Sequence, residues 1–164
     1  MKLSGKVAIV TGSTQGIGLG CARELAREGA GIVITDRPGS VLLDSTAAAI
    51  RELGVPCLAV EADAFSRDDC ERVVESATAE FGKVDIAVSV PAFNRRQTFL
   101  DYDPADFEDI LTSALLGGFH LSQFVARHLV DDQGADRPVV ESRRTVLGDP
   151  AQVAGQIPLA QGIA

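Results

Sequence analysis

The 164-residue chain reads as an α/β protein, a doubly wound parallel sheet of about five strands with helices on both faces. Three observations predict this. Short apolar runs alternate with amphipathic stretches along the chain. The first run, Lys6-Val7-Ala8-Ile9-Val10, passes through Thr11-Gly12-Ser13-Thr14-Gln15-Gly16-Ile17-Gly18 directly into a helical pattern. The second run, Ala30-Gly31-Ile32-Val33-Ile34-Thr35, ends on an acid, Asp36.

Each element follows from its residues. Leu19, Ala22, Leu25 and Ala26 share one face of the first helix, and Gly29 stops it. A second helix covers Ser45 to Leu53, with a start near Ser40 and a stop at Gly54. Val55-Pro56-Cys57-Leu58-Ala59-Val60 is a third strand. Ser66-Arg67-Asp68-Asp69 resembles a capping box and opens a helix to Phe81, stopped by Gly82. Val84 to Val90 is a fourth strand. Asp103 caps and Pro104 starts the longest helix, which runs to Leu129. Val139-Val140 belongs to a short fifth strand. One domain over residues 1–164 results, with a poorly ordered tail expected over 145–164.

Composition narrows the function classes. A formal charge of −8 and an isoelectric point near 4.7 disfavour nucleic acid and anionic membranes as partners. No stretch approaches a transmembrane span, and no signal-peptide core follows Met1, so a cytoplasmic location is expected. Cys21, Cys57 and Cys70 are scattered and not at metal spacing, which suits small buried thiols. His120 and His128 read as helix residues with no ligand set around them, so no metal site is expected.

The glycine turn carries the chemistry. Gly12, Gly16 and Gly18 allow a tight strand-to-helix turn whose backbone N–H groups can approach an anion. The helix N-terminus adds a partial positive charge aimed at the same place. That arrangement suits the pyrophosphate of a dinucleotide. Asp36, about 20 residues further on, can accept hydrogen bonds from ribose hydroxyls and would repel a 2′-phosphate. The cofactor expected is NAD, with NADP disfavoured, although Arg37 beside it could pair with that phosphate. In a parallel sheet ligands bind at the carboxyl ends of the strands, where Gly12, Asp36, Asp63 and Pro91 all fall.

Four motifs in order resemble the short-chain dehydrogenase/reductase family from Leu3 to Ala164. They are Thr11-Gly12-x-x-x-Gly16-Ile17-Gly18, the acid Asp36, Glu61-Ala62-Asp63, and Lys83-Val84-Asp85-Ile86. Gly117-Gly118-Phe119 is similar to the middle of that family's long fourth helix, which lies in a dimer interface. The resemblance implies a Rossmann-like fold and nicotinamide-dependent oxidation of an alcohol or reduction of a carbonyl. It implies cofactor contacts from Gly12, Thr14, Gln15, Gly16, Ile17, Gly18, Asp36, Asp63, Ala64, Ser89 and Pro91, and a homo-oligomer through the 104–129 helix.

The chain departs from the family pattern in several places. Ser89-Val90-Pro91-Ala92 stands where the family carries Asn-Asn-Ala-Gly. Ala114 falls at the family's helix Asn, and Leu159 and Ile163 align with its catalytic Tyr and Lys. The only tyrosine is Tyr102, no lysine follows Lys83, and Ser142 is the nearest candidate for the catalytic serine. No catalytic residue is therefore assigned. The stretch from Asp131 to Arg144 fits the family poorly, and the family continues past the length of this chain, so a C-terminally truncated or frame-disturbed copy is expected. Three readings follow: a dinucleotide-binding domain with impaired chemistry, an oxidoreductase with another acid/base such as Tyr102, or a non-enzymatic interaction protein or gene remnant.

Overall fold

A computed structural model describes residues 1–92 and 95–131. Four strands and four helices alternate: β1 Val7–Thr11, α1 Gly16–Arg27, β2 Gly31–Asp36, α2 Leu43–Arg51, β3 Cys57–Glu61, α3 Arg67–Phe81, β4 Ile86–Ser89 and α4 Pro104–Asp131. A short 3₁₀ turn, Phe99–Asp101, precedes α4. The described strands form one parallel sheet in the order β3-β2-β1-β4. The expected fifth strand at Val139-Val140, Ser142, Leu159, Ile163 and the 145–164 tail lie outside the described residues.

Residue alternation along β1 explains why both faces are covered. Val7 and Ile9 join Val33, Val73, Val84, Leu121 and Phe124 in a core beneath α3 and α4. Ala8 and Val10 point the other way, into a core with Ala22, Ala26, Ile32, Ile34 and Ile50 beneath α1 and α2. Successive side chains of a strand take opposite faces, so a run buried on both sides needs helices above and below it. All five residues of β1 are buried accordingly.

Several element ends differ from their sequence-based bounds. β3 begins at Cys57 rather than Val55, because Pro56 has no N–H for the ladder. The Pro56 carbonyl still accepts from the Ile32 N–H at 3.0 Å. α2 begins at Leu43, two residues before Ser45, and buries that leucine. β4 is shorter than 84–90 because the Val84 N–H donates to His128 Nε2 at 3.2 Å instead of to a strand. α4 continues two residues past Leu129, to Asp131.

The caps are clearer. Ser66 Oγ accepts from the Asp69 N–H, and Gly82 closes α3 in the left-handed region at φ 76°. Asp69 does not complete a capping box; its Oδ2 accepts from the Asp63 N–H at 2.7 Å and so fixes the loop after β3. Asp103 caps α4 as expected, its Oδ1 accepting from the Ala105 N–H at 2.8 Å. No helix of the described residues is long and apolar enough to cross a membrane.

Candidate dinucleotide site

The order β3-β2-β1-β4 places β1 inside the sheet, with β2 and β3 on one side of it and β4 on the other. Such a reversal opens a crevice at the carboxyl ends of the strands. A cleft of about 300 Å³ lies there, between the glycine turn, the ends of β2 and β3 and the segment after β4. Gly12, Thr14, Gln15, Asp36, Asp63, Ala64 and Pro91 all line it. Gly16, Ile17, Gly18 and Ser89 do not line it. The first three open α1 beside the cleft, with the Ile17 side chain 77% exposed. Ser89 ends β4 opposite Thr11.

The glycine turn is closed by contacts that only glycine permits. Gly12 has φ 62°, and a Cβ there would stand 2.9 Å from Pro91 Cγ. A Cβ on Gly18 would stand 2.1 Å from the Gly12 carbonyl oxygen, so α1 rests directly on the turn. Gln15 caps α1 without a side-chain hydrogen bond, and no acidic residue occupies the first turn. The first-turn N–H groups therefore retain the positive end of the helix for an anion.

Sequence reasoning missed three residues that shape this site. Ser13 is fully buried. Its N–H donates to the Thr35 carbonyl at 3.0 Å, and its Oγ accepts from the Thr35 N–H at 3.0 Å. That pair staples the turn to β2, and only its position inside the glycine motif could have flagged it. Phe65 lines the cleft next to Ala64. Gly117 lets α4 press against this loop, because a Cβ there would meet the Ala64 carbonyl oxygen at 2.6 Å and Phe65 Cδ1 at 3.0 Å. The Gly117-Gly118 pair packs against the cleft loop and Ser89, while Phe119 faces outward at 56% exposure.

Asp36 is the chemical centre of the cleft. Its Oδ1 accepts from the Arg37 N–H at 2.8 Å, and its Oδ2 accepts from the Thr14 and Ser40 hydroxyls, each at 2.5 Å. Burial acts to raise its pKa, and these hydrogen bonds, with the nearby Arg37 charge, outweigh it and hold the carboxyl below its ordinary value. The group is an anion at neutral pH, aimed by two loops. Asp63 Oδ1 accepts from the Phe65 N–H at 2.9 Å, which turns the chain after β3 toward the cleft.

Other polar clusters are structural. Asp85 accepts from Lys6 Nζ at 2.8 Å and from the Val7 N–H at 2.9 Å, and pairs with Lys83 at 3.1 Å. Tyr102 donates its hydroxyl to the Arg95 carbonyl at 2.8 Å, packs edge-on to Phe107 and does not line the cleft. His120 and His128 both sit on α4, and no group of side chains able to hold a metal occurs among the described residues. Burial pushes the Cys57 and Cys70 thiols up to about 11, while Cys21 is half-buried. A wider groove of about 520 Å³ between α3 and α4 includes none of the strand-end residues.

Residues 6–148 match the family model described as short chain dehydrogenase. The chain belongs to this family. Among its relatives, the peroxisomal 2,4-dienoyl-CoA reductase of Arabidopsis thaliana is 34% identical over 125 residues, which is 76% of this chain and 42% of that protein. An NAD+-bound xylitol dehydrogenase superposes with a TM-score of 0.75 at 32% identity, over 80% of this chain and 51% of the other. A short chain dehydrogenase from Burkholderia cenocepacia in complex with NADP gives 0.73 at 30% identity, over 78% and 52%. The chain spans about half the length of the curated relatives it matches. After β4, the Pro91 ring stands against Gly12.

Proposed function

We propose that this chain binds a nicotinamide dinucleotide in the strand-end cleft, NAD(H) in preference to NADP(H). The pyrophosphate lies over the Gly12–Gly18 turn at the N-terminus of α1, the adenine half lies near Asp63 and Ala64, and the other half passes Pro91 and Ser89. The observation that carries this reading is the ionised Asp36, held at the end of β2 where an adenosine ribose would place its hydroxyls. One of the solved relatives holds NAD+ and another NADP, so the fold admits either, and the selecting residue must decide. The affinity expected is in the high micromolar range, worth roughly 5–6 kcal/mol. Calorimetric titration with NADH and NADPH tests it. Asp36→Ala should weaken NADH more than NADPH, and an unchanged ratio of affinities would sink the reading.

The reaction class of the family is hydride transfer between a nicotinamide and an alcohol or carbonyl. For this we read the 164 residues as impaired. A proton donor beside the hydride acceptor is worth about 10²–10⁴-fold. The only tyrosine, Tyr102, has its hydroxyl engaged by the Arg95 carbonyl, and no lysine follows Lys83. The exposed row Phe107, Leu111, Leu115 and Phe119 on α4, spaced one turn apart, supports self-association through that helix. Sedimentation of the purified chain measures it.

A further inference from the structure

We propose that Ser40 is a cofactor-selecting residue: its hydroxyl latches the turn Arg37–Ser40 onto Asp36 and so keeps the carboxylate facing the 2′ position of the adenosine ribose. The proposal rests on the reading of Asp36 as the ribose-binding acid and goes one step beyond it, to what holds that acid.

The local sequence builds the latch. Arg37-Pro38-Gly39-Ser40 has Pro and Gly at the two central positions of a turn. Gly39 has φ 78°, and the Ser40 N–H donates to the Arg37 carbonyl at 3.2 Å. That is the pattern of a type II turn, in which the third residue needs a positive φ. The Gly39 N–H is tied in turn to Glu61 Oε1 at the end of β3, at 3.2 Å. The turn delivers the Ser40 hydroxyl to Asp36 Oδ2 at 2.5 Å, the same oxygen that Thr14 reaches from the other side. Two hydroxyls on one oxygen, and the Arg37 N–H on the other, leave the carboxylate little freedom to rotate. A carboxylate oxygen has two acceptor sites, so Oδ1 still has one to offer a ribose hydroxyl.

The selection follows from what stands beside the latch. Arg37 is an exposed cation lining the same cleft, and a guanidinium is a good partner for a 2′-phosphate. With the turn closed, the fixed carboxylate meets whatever the ribose carries at that position. A diol is welcomed and a phosphate is repelled. With the latch removed the turn can open, Asp36 can swing away, and Arg37 can reach the phosphate. Thr14 lines the cleft itself, so its loss would disturb both cofactors; Ser40 does not line it and acts through Asp36. Ser40 is thus a positioning residue.

The test titrates wild type, Ser40→Ala, Ser40→Thr and Asp36→Ala with NADH and NADPH by calorimetry, and follows the Asp36 carboxyl by NMR against pH without cofactor. Ser40→Ala should weaken NADH about fivefold without weakening NADPH, as expected for loss of one hydrogen bond to a charged group partly covered by Thr14. Ser40→Thr, which keeps the hydroxyl, should restore the wild-type ratio. The Asp36 pKa should rise in Ser40→Ala and not in Ser40→Thr. The latch is overturned if Asp36→Ala abolishes the NADH preference while Ser40→Ala keeps it, or if Ser40→Thr behaves like Ser40→Ala. No binding to wild type, or an unchanged ratio in Asp36→Ala, overturns the reading of Asp36 and the latch together.

Discussion

Adding one methyl group to α1 should have opposite effects at two positions two residues apart. At Gly18 a Cβ would lie 2.1 Å from the Gly12 carbonyl oxygen, 2.9 Å from its carbon and 3.0 Å from Ser13 Cα. All three are backbone atoms of the turn, so no side chain can move aside. Helix and turn must part by roughly 1 Å or more, and overpacking of this kind typically costs about 1–3 kcal/mol, occasionally more. At Gly20 a Cβ meets nothing within 4 Å and the residue is exposed. There only propensity acts, and alanine is favoured over glycine in a helix interior by about 1 kcal/mol. The same propensity gain is present at Gly18, but a contact of 2.1 Å with backbone puts the clash at the upper end of that range, so the net loss there is about 1–2 kcal/mol. A domain of this size shifts Tm by about 2–5 °C per kcal/mol. Gly18→Ala should therefore melt several degrees below wild type and Gly20→Ala a few degrees above it. Urea midpoints should move the same way at constant slope. NADH binding should fall with Gly18→Ala and persist with Gly20→Ala. A Gly18→Ala protein melting at or above wild type would refute the helix-on-turn packing.

Asp85 has its pKa lowered: burial opposes this, but the Lys6, Val7 and Lys83 hydrogen bonds prevail. Its stabilisation is therefore present above the unfolded-state value near pH 4 and is lost as pH falls through the lower folded value. Asp85→Asn should cost about 1–2 kcal/mol at pH 7, and the difference from wild type should shrink in acid denaturation scans toward pH 3 and below. With a thiol reagent at pH 8, native protein should label Cys21 first, and Cys57 and Cys70 only after unfolding, because burial holds their thiols near 11; rapid labelling of all three would contradict the core assignment. Purified chain should oxidise no NADH above background with ketones, quinones or acetoacetyl esters. A steady turnover that Tyr102→Phe abolishes would establish Tyr102 as the acid/base instead.

Much of this site was readable because its requirements are local. A positive φ at Gly12, an acid at the end of β2 and an Asp at the end of β3 are each properties of one residue in a recognisable setting. What escaped the sequence depends on contacts between distant segments. Ser13 is an ordinary serine until β2 comes beside it and Thr35 offers both a donor and an acceptor. Gly117 is a weak helix residue until the loop after β3 arrives at its side. His128 was correctly read as a helix residue, but its work, accepting from the Val84 N–H, shortens β4 from a position 44 residues away. Strand ends were the least legible feature, since Pro56 and Val84 lose or redirect one hydrogen bond each. No pattern in hydrophobicity reports that.

Gly12 and Pro91 show how a departure from a family pattern can be absorbed by a residue already in place. Proline after β4 removes an N–H and fixes φ, changes that would ordinarily disturb a cofactor wall. Here its ring fills the space that a Cβ on Gly12 would need, at 2.9 Å. Glycine at 12 is thus demanded twice, by its φ of 62° and by the proline across the cleft. The two demands can be separated. Replacing Pro91 with alanine would free the space but not the dihedral angle, so Gly12→Ala should remain destabilising in the Pro91→Ala background, by about 1 kcal/mol or more of backbone strain. In the presence of Pro91 it should cost more, because the steric clash adds to that strain. A double-mutant cycle by urea denaturation measures the difference as a coupling between residues in contact. Zero coupling would mean that the proline does not press on the turn, and the cleft wall would then have to be built by other residues.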